Sequence, residues 1–155
     1  MNALVFGGGG GKGAYEIGVW KALRELNMER LFSCVIGTSV GALNAVLFAQ
    51  KSFEKAEEIW SALSPGLVLP DNFGRGSALA SQEGLRRILL QYVHLTPLDL
   101  SVYVCCSRIT SGASDYINFL GVDLAERYQP EYFRLNTLSR WKQIQCLLAS
   151  AAMPF

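Results

Sequence analysis

The chain has 155 residues, of which 50% are hydrophobic and 17% charged, and its formal net charge is +1 at pH 7. This balance excludes a disordered or fibrous chain and indicates one globular domain with its own hydrophobic core. The basic residues are scattered along the sequence, so the charge pattern predicts no nucleic-acid partner. No run reaches the ~18 apolar residues of a membrane-spanning helix.

The four cysteines lie in apolar segments, lack the spacing of a metal site, and follow no secretory leader. They are Cys34, Cys105, Cys106 and Cys146. We therefore expect reduced thiols in a protein of the cytoplasm, and no bound metal. The neighbours Cys105 and Cys106 should point to opposite faces of a strand.

The first predicted unit is a strand, a loop and a helix. Residues 4–6 form a short apolar run, glycines occupy positions 7–11, and a helical pattern follows Gly13. The periodic apolar residues of this helix share one face. They are Tyr15, Val19, Leu23 and Leu26.

The same unit then occurs a second time. Residues 32–36 predict a strand ended by Gly37, and residues 42–50 predict a helix of small and aliphatic side chains. A third helix is predicted over residues 53–63, because its apolar residues recur at helical spacing. This stripe contains Phe53, Ala56, Ile59, Trp60 and Leu63.

The second half of the chain is less regular. Residues 64–77 are rich in glycine and proline and predict a loop, and Ser81 is placed to cap a helix that buries Leu85, Ile88, Leu89 and Tyr92. Strands are predicted over residues 102–106 and 116–120, and a last helix over residues 138–149. That helix carries Trp141, Ile144, Gln145 and Leu148 at helical spacing.

Strands that alternate with helices predict a single domain with a three-layer α/β/α fold and a mostly parallel central sheet. Sites in such folds form at the carboxyl ends of strands, where both glycine motifs lie. The three tryptophans recur with other apolar residues, so we expect them to pack in the core or at an interface. They are Trp20, Trp60 and Trp141.

A serine flanked by glycines separates the second strand from its helix, in the order Gly37-Thr38-Ser39-Val40-Gly41. In this setting the motif predicts a nucleophile elbow, because the glycines allow a sharp turn that presents Ser39 at the helix N-terminus. The simpler interpretation is a serine that caps the helix.

The glycine loop has two interpretations. In the first, the backbone N–H groups of Gly8, Gly9, Gly10 and Gly11, near a helix N-terminus, stabilise a developing oxyanion. In the second, Gly8-x-Gly10-x-x-Gly13 is a dinucleotide fingerprint, but that site needs an acidic residue ~20 positions further on, where the serine motif stands instead. A phosphate-binding P-loop is excluded because Gly13, rather than Ser or Thr, follows Lys12.

Three blocks together resemble the patatin-like phospholipases. The opening block is residues 8–23, with the pattern G-G-G-x-[R/K]-G followed by a helix; the second is the serine motif with Ala42-Leu43-Asn44-Ala45; the third is residues 149–155, where the family has S-A-A-x-P. They occur in the family's order and cover essentially the whole chain. The resemblance implies the fold predicted above.

The resemblance also implies a Ser-Asp dyad. Ser39 would attack an acyl carbonyl, an aspartate in a D-G-[G/A] motif would accept its proton, and the loop of Gly8, Gly9, Gly10, Gly11, Lys12 and Gly13 would form the oxyanion hole. Substrates would be acyl esters of glycerolipids, cleaved at a lipid or membrane surface by a protein without a transmembrane segment or a cofactor. The oligomeric state is not implied.

The sequence departs from the family at the dyad aspartate. Asp71, Asp99, Asp115 and Asp123 are followed by Asn, Leu, Tyr and Leu, so none has the D-G context. We expect that the chain stops before this motif, which would lie beyond Phe155. Ser39, Asp71 and His94 formally supply a triad in hydrolase order, but a histidine at the end of a helix more commonly has a structural role, in which it interacts with the helix dipole.

A non-catalytic alternative remains open from the sequence. A lipid- or nucleotide-binding module could keep the glycine loop to bind anions without any hydrolysis.

Overall fold

The structure, a computed structural model, describes residues 2–62, 82–93, 100–109 and 128–152. In this part of the chain the strands are β1 (Ala3–Phe6), β2 (Cys34–Thr38), β3 (Ser101–Ile109) and β4 (Tyr128–Arg134). The α-helices are α1 (Gly13–Glu25), α2 (Val40–Ala49), α3 (Phe53–Ala62), α4 (Gln82–Tyr92) and α5 (Arg140–Ala151). Short 3-10 turns cover Gly10–Lys12, Glu29–Leu31 and Leu135–Thr137.

The four strands form one sheet in the order β1-β2-β3-β4. The first three strands are parallel, and β4 runs antiparallel to β3. Phe6 at the end of β1 pairs with Gly37 near the end of β2, and Gly37 pairs with Val104 of β3. This register brings the glycine loop and the serine motif side by side at one edge of the sheet.

Helix α2 is the centre of the core, because every residue from Val40 to Ala49 is buried. Its Phe48 ring packs against Phe6 of β1 and Trp20 of α1, with centroids 5.8 and 5.2 Å apart. A helix that is hydrophobic all round must be covered on every side. The sheet covers one side of α2, and helices α1 and α3 cover others.

The predicted fold class is confirmed as a mixed α/β fold with a mostly parallel sheet. Helices α2 and α5 lie on the same face of that sheet. The side chains of Phe6 and Cys106 point to one side of it. Phe6 contacts Phe48 of α2, and Cys106 contacts the Cys146 carbonyl of α5. The described residues thus contain the central sheet and a helical layer on one of its faces.

Most predicted elements are present with small shifts in their ends. Strand β2 continues through Gly37 to Thr38, α2 begins at Val40 rather than at position 42, and β3 extends to Ile109. The stripe of α3 is buried as expected at Phe53, Ala56, Ile59 and Trp60. Leu63, Ser81, the loop over 64–77 and the strand over 116–120 lie outside the described residues.

The predicted apolar face of α1 is wrong. Tyr15 is 77% exposed and Leu26 68% exposed, and Val19 is exposed as well. The helix instead buries Gly13, Ile17 and Trp20 on roughly the opposite side. The aromatic partners of Trp20 on α2 and α3 decide the orientation, because its large ring gains more from burial than the smaller apolar side chains.

The last helix shows a similar shift. Gln143, Ile144 and Leu147 are buried, whereas Trp141 is 58% exposed, so Trp141 is not in the core, the first of the two places expected for it. Strand β4 was not predicted, because Pro130 interrupts a polar segment. In the described part of the chain β4 is the last strand of the sheet, and an edge strand is where a proline is tolerated.

The cysteines are free, as expected. Cys106 is buried and Cys105 only half-buried, which agrees with opposite faces of β3. Burial raises the pKa of the Cys106 thiol to about 11, and it also raises the pKa of Cys34 and Cys146. Among the described helices, none is long and apolar enough to cross a bilayer.

The two tryptophans of α1 and α5 test the core assignment. Trp20→Ala should lower the free energy of unfolding by about 3–5 kcal/mol, because it removes a fully buried ring. Trp141→Ala, the matched control on an exposed site, should change it by no more than about 0.5 kcal/mol. Urea denaturation of both variants measures this, and equal losses would contradict the assignment.

Candidate active site

Ser39 is the turning point between β2 and α2, and its backbone is strained. Its φ and ψ are 56° and −126°, a region that side-chain-bearing residues rarely adopt. Among the residues that the structure describes, two other non-glycine residues have positive φ, Asn27 and Lys51. Both follow the ends of helices, where one left-handed residue commonly closes the last turn. Ser39 instead precedes a helix, as in a strained strand-to-helix turn.

The flanking glycines make this turn possible. A Cβ atom on Gly37 would overlap the backbone of Gly41 and Ala42. A Cβ atom on Gly41 would overlap the backbone of Phe6 and Gly7 at the end of β1. The first turn of α2 therefore packs directly on the backbone of β1 and β2, at a distance that only glycine permits.

The Ser39 side chain is not used as a helix cap. It lies at the N-cap position of α2 but makes no capping hydrogen bond, and it is half-buried. The simpler interpretation of Ser39 as a structural N-cap therefore lacks its defining contact. The hydroxyl lies instead at the positive end of the α2 dipole, where negative charge is stabilised.

The glycine loop lies beside Ser39. A Cβ atom on Gly8 would be 3.5 Å from Cβ of Ser39. Gly9 and Gly10 have φ angles of 144° and 56°, so glycine is needed at both. The whole loop before Gly13 is exposed and accessible to a substrate.

Backbone donors in this loop fall into two groups. The Lys12 N–H donates to the Gly9 carbonyl at 3.2 Å, and the Gly13 N–H donates to the carbonyls of Gly10 and Gly11. Within the described parts of the chain, the N–H groups of residues 8–11 make no such backbone bond. The available donors are therefore those of residues 8–11, and the Lys12 and Gly13 donors are occupied.

Ser150 of α5 forms a hydrogen bond with the backbone of the serine turn. The Ser39 N–H donates to Ser150 Oγ at 2.8 Å, and the Ser150 hydroxyl donates to the Cys105 carbonyl at 2.6 Å. One hydroxyl thus links the serine turn to β3 and α5. Sequence reasoning quoted Ser150 within the third family block but assigned it no contact.

A buried polar network lies under the glycine loop. Asn44 Nδ2 donates to Glu16 Oε2 at 2.8 Å and to the Gly13 carbonyl at 3.1 Å, and Asn44 Oδ1 accepts from Trp60 Nε1 at 2.8 Å. Burial raises the pKa of Glu16, while hydrogen bonds from Asn44 and from the Gly7 N–H counteract this shift. Sequence reasoning missed these residues, although an asparagine inside an otherwise apolar helix is a signal of a buried partner.

The structure thus brings together Ser39, its flanking residues and the glycine loop. The remaining candidates, His94 and the four aspartates, lie outside the described residues. In the described ranges, no group of His, Cys, Asp or Glu side chains is placed to hold a metal ion.

These features define an α/β protein with a polar site at the carboxyl ends of its parallel strands. Residues 4–155 match the model of the patatin-like phospholipase family. The chain therefore belongs to the patatin-like phospholipases, a family of lipid acyl hydrolases. No curated protein and no solved structure gives a match.

The Ser150 bridge can be tested by stability alone. Ser150→Ala should lower the free energy of unfolding by about 1–3 kcal/mol, because the Ser39 N–H and the Cys105 carbonyl each lose a partner. Ser61→Ala, an exposed serine at the end of α3, is the control and should be nearly neutral. Chemical denaturation measures the free energy of unfolding of both variants. Equal losses in the two variants would contradict the bridging role of Ser150.

Proposed function

We propose that this chain carries the nucleophile and the oxyanion hole of a serine hydrolase that cleaves acyl esters of glycerolipids. Ser39 is the nucleophile, and the N–H groups of residues 8–11 form the oxyanion hole. The observation that carries the proposal is the strained Ser39 backbone between β2 and α2, with a hydroxyl that does not cap the helix. Strain of about 1–3 kcal/mol at a single residue is commonly retained where function needs it.

The proposed chemistry follows from the placement of these groups. Ser39 Oγ attacks the acyl carbonyl carbon, and the carbonyl oxygen becomes an oxyanion that accepts hydrogen bonds from the glycine loop. The serine proton passes to a base and then to the leaving alcohol, which departs as a lysolipid. Water hydrolyses the remaining acyl ester of Ser39 and restores the hydroxyl.

The base is also a proposal. A serine hydroxyl is weakly nucleophilic unless a base lies within hydrogen-bond reach. We propose an aspartate in the family's D-G-[G/A] context, in sequence beyond Phe155, because none of the four aspartates in the sequence has that context. The mechanism then needs neither His94 nor a cofactor.

Two features support a lipid substrate. Lipid esters are the substrates of the family to which the chain belongs, and the loop beside Ser39 is exposed and so accessible from outside the protein. We propose a protein of the cytoplasm that works at membrane surfaces. A non-catalytic anion-binding module would use the same exposed N–H groups, and hydrolysis separates it from the enzyme.

Ser39→Ala tests the nucleophile in a protein that extends the chain through a D-G-[G/A] segment. The variant should lose hydrolysis of a short-chain p-nitrophenyl ester by at least about 10³-fold, since the residue that forms the acyl intermediate is absent. His94→Ala, the control for the triad alternative, should stay within a few-fold of the unchanged protein.

The 155-residue chain without that segment should be inactive in the same assay. Full activity of the short chain would contradict the proposed dyad, and residual activity of Ser39→Ala above a tenth would contradict the proposed nucleophile. A loss of about 10²–10⁴-fold in His94→Ala would favour a histidine base.

Gly10→Val tests the oxyanion loop. Valine strongly disfavours the φ of 56° at this position, although a Cβ atom there would meet no atom within 4 Å. The loop should therefore shift, and kcat should fall by about 10²–10³-fold, the usual loss for one oxyanion donor. Gly18→Val, at an exposed glycine of α1 with equally open surroundings, is the control and should keep kcat. Equal kcat values in both variants would contradict the assignment.

A further inference from the structure

One pair of side chains holds both ends of the glycine loop. At the start of the loop, the Glu16 carboxylate lies beside Gly7: a Cβ atom on Gly7 would be 3.7 Å from Glu16 Oε1, and the Gly7 N–H helps to lower the pKa of that carboxyl. At its end, the Gly13 carbonyl accepts from Asn44 Nδ2 at 3.1 Å. The two side chains are joined to each other, because Asn44 Nδ2 also donates to Glu16 Oε2 at 2.8 Å.

The orientation of the Asn44 amide is fixed by its third contact. Trp60 Nε1 can only donate, so the atom that faces it must be Asn44 Oδ1, which lies 2.8 Å away. The Asn44 Nδ2 group is therefore directed to the loop and to Glu16. The Asn44 side chain is fully buried, and rotating it would leave several buried polar groups without partners.

Asn44 also belongs to the helix that Ser39 begins. It lies five residues after Ser39 on α2, which is buried along its whole length. Helix α2 thus carries the serine at its start and the anchor of the glycine loop little more than one turn later. Between the anchored ends, residues 8–11 are exposed, and Gly8 lies beside Ser39.

We infer that Glu16 and Asn44 are positioning residues, which set the distance between the N–H groups of residues 8–11 and Ser39. Asn44 of α2 holds the Gly13 end of the loop directly and reaches the Gly7 end through Glu16 of α1. The inference rests on the proposed function of Ser39 and the loop. It gives a reason for a fully buried amide at Asn44 and a half-buried carboxylate at Glu16, since burying polar groups carries a cost that apolar side chains would avoid.

An oxyanion hole requires such an anchor, because donors contribute fully only when they are already in place as the charge develops. A glycine loop that is free to move would have to be ordered at each turnover. Displacement of the loop by about 1 Å is enough to cost on the order of 10²-fold in rate. The pair should therefore affect kcat far more than KM.

The test uses Asn44→Asp, Glu16→Gln and the double variant in the protein that carries the D-G-[G/A] segment. Asn44→Asp places a second carboxylate against Glu16 and removes the donor to Gly13, so kcat should fall by about 10²-fold while KM stays within about twofold. Glu16→Gln, which changes a single group, should lower kcat by about tenfold.

The double variant provides the rescue. The amide introduced by Glu16→Gln can donate from its Nε2 to the carboxylate introduced by Asn44→Asp, and its oxygen can still accept from the Gly7 N–H. The bond between the two side chains therefore re-forms with its direction reversed. The kcat of the double variant should exceed that of Asn44→Asp alone by about tenfold, although the Gly13 carbonyl stays without this donor.

Val46→Ala is the matched control, since Val46 is fully buried on the same helix and takes no part in the network. It should lower Tm without changing kcat. Amide hydrogen exchange over residues 7–13 should accelerate in Asn44→Asp and stay unchanged in Val46→Ala, as expected if only the first variant releases the loop.

The outcomes separate the positioning role from the proposed function. If the pair variants lower Tm as Val46→Ala does, with kcat and loop exchange unchanged, or if the double variant is no better than Asn44→Asp, the positioning role is overturned. If loop exchange responds as expected but the unchanged protein hydrolyses no ester, the anchoring stands and the proposed function fails.

Discussion

The close approach of helix α2 to the end of strand β1 is the constraint on which the site depends. Gly41 lies against the backbone of Phe6 and Gly7, and a single added carbon would separate them. This contact brings the start of α2 to the start of the glycine loop. It sets Ser39 beside Gly8 and places Asn44 under the same loop.

The strain at Ser39 is held by the surrounding structure. The turn is held by two contacts. Helix α2 packs against the end of β1, and the hydroxyl of Ser150 joins the Ser39 N–H to β3. Because α2 is buried all round, it has little freedom to relax the turn by moving. The backbone can therefore retain a conformation that an isolated serine would avoid.

Secondary structure that depends on local sequence signals was predicted well. We predicted β1, β2 and the first three helices from short apolar runs, from the glycines that end them and from helical spacing. The serine motif was also placed correctly at the end of β2. These features depend on neighbours in the chain. Strand β4 was missed because its sequence contains Pro130 and several polar residues, which are not typical of a strand. It forms by pairing with β3, which is separate from it in the chain.

Features that depend on tertiary contacts were beyond the sequence. The side of α1 that is buried is chosen by the partners of Trp20 on other helices. Likewise, the Ser150 bridge and the bond between Asn44 and Glu16 join residues that are far apart in the chain. No motif or spacing in the sequence indicates that these residues are in contact.

The central claim is that Ser39 is an activated nucleophile, and covalent labelling tests it most directly. A fluorophosphonate should react with the protein that carries the D-G-[G/A] segment, because only a serine with an activating base attacks phosphorus at a useful rate. Peptide mass spectrometry should then locate one phosphonyl adduct, on Ser39. An adduct on another serine, or none in a folded protein that hydrolyses esters, would contradict the account.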